Sequence, residues 1–246
     1  AISGDEKKPV YIATDGNGVH FLSHKKQQVT RRFYHDVSDK EGIRSNSVYS
    51  LLVDDRGAVW VGHFQAGLDY SLYQNGLFRT YAYPPLFNSA NLSIRSFISR
   101  GQEKVIGSRD GLFYINEATG MVKSFVKPVL TSDLILTISF YQGEYYIGTY
   151  GGGMMVLNPE TLSLKNFSQS DTELFQKGHI FCVKPDTKGN LWIGTSQGLF
   201  NYNGQTKQIK HFTSANSQLP EGNVYEVSFD STGKGGLATE TGMCIY

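Results

Sequence analysis

The sequence predicts an all-β fold, a β-propeller of about six four-stranded blades, and three observations carry the prediction. One short phrase (an aromatic or apolar residue, an aliphatic residue, then Gly or Ala) returns along the whole chain. Short apolar runs of strand length are separated by Gly, Asn and Asp turns. No stretch shows the 3.6-residue apolar period that would argue for helices.

The phrase occurs as Tyr11-Ile12-Ala13-Thr14, Trp60-Val61-Gly62-His63, Val105-Ile106-Gly107-Ser108, Tyr146-Ile147-Gly148-Thr149, Trp192-Ile193-Gly194-Thr195 and Gly236-Leu237-Ala238-Thr239. A glycine follows each copy, at Gly18, Gly67, Gly111, Gly153, Gly198 and Gly242. The small residues at 13, 62, 107, 148, 194 and 238 are 49, 45, 41, 46 and 44 residues apart, a mean of 45. That period suits four short strands with tight turns, which is one blade.

The second copy shows the grammar in full. Residues 48–54 are apolar enough to be strand a, an inner strand crowded on both sides, and Asp55-Arg56-Gly57 supplies a turn. Residues 59–63 form strand b and residues 68–73 strand c. Asn75-Gly76 is a hairpin signal before strand d at 77–81. The small residue of the phrase predicts a close approach of neighbouring backbone, and Trp60 and Trp192 are expected to pack between blades.

The blades fall at 1–40, 45–83, 91–127, 132–168, 178–213 and 222–246. The first begins inside its inner strand and the last lacks its outer one, so the chain reads as part of a larger propeller. Seven blades at this period would need roughly 315 residues. Open strand edges would favour self-association, with a homodimer as the simplest product.

Composition sets bounds on partners. Lys plus Arg number 23 against 22 Asp plus Glu, so no net field draws the chain to nucleic acid or to an anionic membrane. Neither is expected as a partner. Cys182 and Cys244 stand far apart without metal or redox spacing and read as small thiols in apolar surroundings. No cofactor or metal is expected.

The runs Asn46-Ser47-Val48-Tyr49-Ser50-Leu51-Leu52-Val53-Asp54-Asp55-Arg56-Gly57-Ala58-Val59-Trp60-Val61-Gly62 and Leu191-Trp192-Ile193-Gly194-Thr195-Ser196-Gln197-Gly198-Leu199 resemble the two-component regulator propeller repeat. Its pattern is an Asn-led inner strand, an Asp-x-x-Gly turn, Leu-Trp-Ile-Gly-Thr and Gly-Gly-Leu. Blades two and five match it well, whereas the others replace the Trp with Tyr11, Val105, Tyr146 and Gly236. The resemblance implies the extracytoplasmic, periplasmic part of a membrane-anchored hybrid two-component histidine kinase of Bacteroidetes. Such a receptor detects an oligosaccharide and controls polysaccharide-utilisation genes. Its kinase activity would lie in other parts of the receptor, which would also be a partner of this propeller.

Antiparallel strands place the entry to strand a and the b-to-c loop at one end of every blade, the usual ligand end. The candidate ligand-binding residues there are Asn46, His63, Phe64, Gln65, Arg109, Asp110, Tyr150, His179, Gln197 and Glu240. Packing explains what blades share, so residues that only one blade carries point to a ligand. Amide, carboxylate and guanidinium groups beside aromatic rings suit the hydroxyls and apolar faces of a sugar. Two rival functions stand beside the sensor. One is a protein-interaction scaffold. The other is a propeller glycan hydrolase or lyase, although no nucleophile elbow, zinc-binding or phosphate-loop motif is present and no catalytic residue is assigned.

Overall fold

The computed structural model describes residues 2–3, 10–23, 25–39, 42–54, 56–71, 78–80, 92–167, 173–230 and 232–245. The chain divides into two compact units, Ala1–Ser124 and Phe125–Tyr246. The expected Asn75-Gly76 hairpin, and residues 72–73 and 81 of the expected strands, lie outside the described residues.

The first unit holds three sheets. They are β1 (Ile2–Ser3), β2 (Val10–Ala13), β3 (Val19–Ser23) and β4 (Gln28–Phe33); β5 (Val48–Val53), β6 (Val59–His63), β7 (Leu68–Ser71) and β8 (Phe78–Thr80); and β9 (Ile94–Arg100), β10 (Glu103–Ser108), β11 (Leu112–Asn116) and β12 (Met121–Phe125). The second unit holds β13 (Ile135–Tyr141), β14 (Glu144–Thr149), β15 (Met154–Leu157) and β16 (Leu164–Asn166); β17 (Ile180–Pro185), β18 (Asn190–Thr195), β19 (Gly198–Asn203) and β20 (Ile209–Phe212); and β21 (Val224–Phe229), β22 (Gly235–Thr239) and β23 (Gly242–Ile245). Each sheet is an antiparallel meander in chain order, the blade that the repeat period requires. Among the described residues one short helix, α1 (Leu174–Lys177), precedes β17 and buries Leu174 and Phe175.

The most buried strand is b, not a. All five residues of β6 are buried, and so are five of the six residues in each of β10, β14 and β18, whereas β9 buries only its first residue. The expectation of a fully crowded inner strand is corrected here. In these four sheets strand b is paired along both edges and covered on both faces, while strand a is paired within its sheet on one edge only.

The apolar cores lie between successive sheets of the same unit. Tyr11 and Val19 of the first sheet pack with Val48 and Val61 of the second, and Trp60 and Leu68 pack with Ile94 and Ile106 of the third. In the second unit Tyr146 and Val156 meet Phe175, Ile193 and Phe200, and Trp192 meets Val224 and Leu237. Burial of this kind, at about 25 cal/mol per Å² of apolar surface, drives sheet-on-sheet stacking. It also makes a single sheet dependent on its neighbours.

The small residue of the phrase sits at the tightest point of that stacking. A Cβ on Gly148 would lie 2.6 Å from Thr137 Cγ2 and 2.7 Å from Ile180 Cγ2, the latter on the next sheet. On Gly194 it would lie 2.6 Å from the Val224 carbonyl oxygen of the following sheet. The indole rings do the complementary work. Trp60 stacks on Tyr70 of its own sheet at 5.1 Å and meets Phe97 of the next at 6.3 Å. Trp192 does the same with Phe212 and Phe229, both at 5.9 Å. The expected packing role of both tryptophans is the observed one.

Candidate functional site

The b-to-c loops are built on a shared frame. In five blades a hydroxyl at the end of strand b closes the loop by donating to a carbonyl: Thr14 to Gly18, Ser108 to Gly111, Thr149 to Gly153, Thr195 to Gly198 and Thr239 to Gly242, at 2.8–3.1 Å. Main-chain amides of the loops then donate to the entry of strand a. Phe64 reaches Ser47, Arg109 reaches Ser93, Tyr150 reaches Leu134, Ser196 reaches His179 and Glu240 reaches Asn223. The frame also links neighbours, since Gly67 N–H donates to Leu92 and Gly153 N–H to Gly178. Gly153 can hold this position because it takes a φ of +70° where a Cβ would collide with the Phe175 carbonyl.

A β-bulge recurs at the same point. In five blades the pairing of strand a with strand b skips one residue: Tyr49, Arg95, Leu136, Phe181 and Tyr225. A bulge re-aims the side chain of the residue it frees from the ladder. Four of the freed side chains meet in pairs across neighbouring blades. The Arg95 guanidinium lies 4.8 Å over the Tyr49 ring, and the Phe181 and Tyr225 rings are 5.0 Å apart.

In the second unit these features join into one aromatic run. The Tyr150 ring stacks on the His179 imidazole at 3.9 Å, His179 stands 6.2 Å from Phe181, and Phe181 meets Tyr225. Tyr150 and Tyr225 are 50% and 44% exposed, so both ends of the run face solvent. Polar groups flank it. Asn223 Nδ2 donates to the Tyr225 hydroxyl at 3.0 Å, and the Glu240 carboxylate accepts the Asn223 N–H at 3.2 Å. His179 Nδ1 is buried and has no hydrogen-bond partner. Beside the run, Gln197, Thr213, Ser214 and Glu221 line a polar hollow of about 270 Å³.

The candidate residues therefore separate. Tyr150, His179 and Glu240 share the b-to-c loop end of the second unit, and Gln197 opens the adjoining hollow while its carbonyl accepts from His211 at 2.7 Å. In the first unit the Phe64 ring packs on Tyr49 at 5.1 Å, and Gln65 is exposed with a φ of +55°. Asn46 is committed to the frame: its side-chain oxygen accepts His35 N–H and its carbonyl accepts Gly16 and Gly18. Arg109 and Asp110 are exposed and form no ion pair with each other.

His63 is corrected outright. Its side chain is fully buried, and its Nε2 lies 2.8 Å from Asp69 Oδ2. Asp69 also accepts the Arg44 N–H at 2.9 Å and its Nε–H at 3.0 Å. Burial alone would raise the Asp69 pKa, but the His63 hydrogen bond and charge, with the Arg44 contacts, hold it below the ordinary carboxylate value. His63 stands where the other blades carry the loop-closing hydroxyl, so its singularity serves packing and not a ligand.

Tyr49, Arg95, Phe181, Tyr225 and Asn223 were absent from the candidate set. A signal for four of them was present: the residue immediately before the strand a partner of the repeated small residue varies from blade to blade, after an aliphatic residue that does not. Alternation alone assigns that residue to a ladder and hides the bulge that frees it.

Comparison with known proteins agrees with this architecture. The family model described as two component regulator propeller matches residues 42–65 and 175–197. No curated protein matches the chain. Among solved structures, the extracellular domain described as that of the hybrid two component system BT3049 from B. thetaiotaomicron superposes with a TM-score of 0.76 at 23% identity, over 99% of this chain. The corresponding domain of BT4673 from the same organism gives 0.75 at 18% over 100% of the chain. PorZ, a surface component of the type-IX secretion system of Porphyromonas gingivalis, gives 0.76 at 16%, again over 100% of the chain. The chain spans 33%, 31% and 38% of those proteins' lengths, and at these identities the likeness establishes the fold. The chain is a β-propeller, and two stretches of it, residues 42–65 and 175–197, match the two component regulator propeller model.

Proposed function

We propose that the chain is the ligand-sensing propeller portion of the extracytoplasmic region of a hybrid two-component sensor histidine kinase, and that its ligand is an oligosaccharide. The observation that carries the reading is the run Tyr150, His179, Phe181 and Tyr225, solvent-facing at both ends and flanked by Asn223, Glu240 and the Gln197 hollow. Sugar rings offer an apolar face for aromatic contact and hydroxyls for amide and carboxylate partners. The resemblance of the repeats to regulator propellers supports a periplasmic placement, control of polysaccharide-utilisation genes, and kinase activity in other parts of the same receptor.

Binding alone moves nothing. The ligand must favour one receptor arrangement over another, and reversing a 1:99 equilibrium takes about 5.5 kcal/mol of differential affinity. Stacked sheets deform little, so rigid-body shifts against the rest of the receptor are the expected output. The test is a glycan array probed with the labelled chain, followed by calorimetry on the hits. The reading requires at least one oligosaccharide whose binding is weakened in Tyr150→Ala and Tyr225→Ala. An array without hits, or hits indifferent to both substitutions, would overturn it.

A further inference from the structure

At the opposite end of the second unit's sheets, where the a-to-b turns lie, a cavity of about 310 Å³ opens between the fifth and sixth blades. Its lining includes Lys188, Trp192, Asn201, Gln208, Lys210 and Phe229. Small-molecule sites begin at roughly this size.

A sequence difference between the third and sixth blades accompanies the cavity. In the repeat, Gly107 of β10 and Ala238 of β22 are equivalent, so three residues earlier Lys104 corresponds to Gly235. Lys104 is 2% exposed, and its ammonium stands 5.8 Å over the Trp60 ring. It is held there by Glu117 at 3.1 Å and the Gly101 carbonyl at 3.0 Å. The sixth blade offers Gly235-Gly236 in place of Lys104-Val105, and a Cβ on Gly236 would meet only Ser228 Oγ, at 3.9 Å. Neither of these two positions sets a side chain over Trp192 as Lys104 stands over Trp60, and the contact to Trp192 from the sixth blade comes from Phe229 at 5.9 Å.

The polar groups divide into spent and available. Asn203 donates to Asn190, Asn190 to Asp186, and the Trp192 indole to the same Asp186, at 2.8–2.9 Å. That network is closed within the protein. Lys188 and Lys210 are exposed at the rim, and no carboxylate among the described residues pairs with either. Asn201 Nδ2 is buried without a partner, a state that costs free energy until an acceptor arrives. The supply is cationic and hydrogen-bond donating, above an indole edge and a phenyl ring.

We propose that this cavity is a second binding site, separate from the aromatic run, and that it takes an anionic saccharide. The sugar's carboxylate or sulfate would meet Lys188 and Lys210, and its hydroxyls Asn201 and Gln208. This site shares no residue with the proposed sensing site, so the two stand or fall separately.

The chain has two tryptophans, hence two indole N–H signals in the spectrum of the ¹⁵N-labelled protein. Trp60→Phe or Trp192→Phe, whichever keeps the fold, assigns them. Glucuronate and glucose 6-sulfate are titrated in parallel with glucose and with inorganic sulfate. At least one anionic sugar should shift the Trp192 signal at millimolar concentration and leave the Trp60 signal in place. Glucose should bind about tenfold more weakly, as should the anionic sugar to the Lys188→Ala/Lys210→Ala double variant. Gly235→Lys, which restores the plug of the third blade, should abolish the shift, while Tyr150→Ala and Tyr225→Ala leave it unchanged. No shift from either anionic sugar overturns the proposal, and so do equal binding of glucose, an equal response to inorganic sulfate, or a response undiminished in the double-lysine variant. That variant changes only exposed side chains and keeps the test decisive if Gly235→Lys does not fold.

Discussion

The Trp192 indole N–H donates to the Asp186 carboxylate at 2.9 Å, and Trp60 repeats the contact on Asp54 at 3.0 Å. Each carboxylate belongs to the a-to-b turn and also collects turn amides: Asp54 takes Arg56 and Ala58 N–H, and Asp186 takes Lys188 and Asn190 N–H. The six-residue spacing of Asp and Trp in the repeat is thus a turn lock that fixes the ring against the next sheet. Asp54 is 3% exposed, so Asp54→Ala would strand several buried donors. A loss of about 3 kcal/mol in urea unfolding is expected, with a smaller loss for Asp54→Asn, which keeps an acceptor.

The Asp186 lock makes stability depend on acid. Burial would raise the pKa of Asp186, but hydrogen bonds from the Asn190 side chain and backbone, the Trp192 indole and the Lys188 amide hold it below the ordinary carboxylate value. Asp69 is depressed by His63 and Arg44 against the same opposing burial. A carboxyl whose folded pKa is lowered contributes stability that is present above the unfolded value, near 3.9, and lost as pH falls through the folded value. The urea midpoint, followed from neutral pH downward, should hold its contribution from these groups until about pH 4 and then decline. Asp186→Asn should start lower and fall less steeply. An equal slope in the variant would remove Asp186 from the account.

Much of this fold was legible in the sequence because its determinants are short-range and repeated. The phrase placed Gly148 and Gly194 where a side chain would meet Ile180 and the Val224 carbonyl, and the Asp-x-x-Gly turns appear where the chain reverses. The site was legible only in part. Tyr150 and Glu240 announced themselves as singular loop residues. Phe181 and Tyr225 did not, because one skipped pairing at residues 180–182 and 224–226 turns what reads as a ladder residue out of the ladder. His63 misled for a different reason: its partner Asp69 lies six residues on, across the b-to-c loop, and a His and an Asp flanking a loop read as surface residues until their pairing is seen.

His63 offers a direct check on that correction. With His63 fully buried and Asp69 1% exposed, His63→Ala leaves a cavity and a carboxylate short of one partner, a loss of about 3–5 kcal/mol. The fifth blade solves the same problem with Thr195 and with Phe200 at the position of Asp69. His63→Thr/Asp69→Leu should therefore recover stability relative to His63→Thr alone, with a coupling of at least ~1 kcal/mol in a double-mutant cycle. Oligosaccharide affinity of the folded variants should equal that of the parent chain. A selective loss of affinity with stability intact would return His63 to the binding site.

Tyr225 separates stacking from hydrogen bonding at the proposed sensing site. Its ring packs on Phe181 at 5.0 Å while 44% of the residue remains exposed, and its hydroxyl accepts the Asn223 amide at 3.0 Å. If the ring is a platform for a sugar face, Tyr225→Phe keeps most of the affinity and Tyr225→Ala weakens it about tenfold, the scale of one aromatic contact. If the hydroxyl instead orients Asn223 toward the ligand, Tyr225→Phe and Asn223→Ala lose affinity together and by similar factors. Tyr225 is an exposed bulge residue outside the strand ladder, so the unfolding midpoint should move by less than ~1 kcal/mol in either variant. Calorimetry on the pair of substitutions decides which group meets the sugar. Unchanged affinity in all three variants would leave the aromatic run without a ligand role.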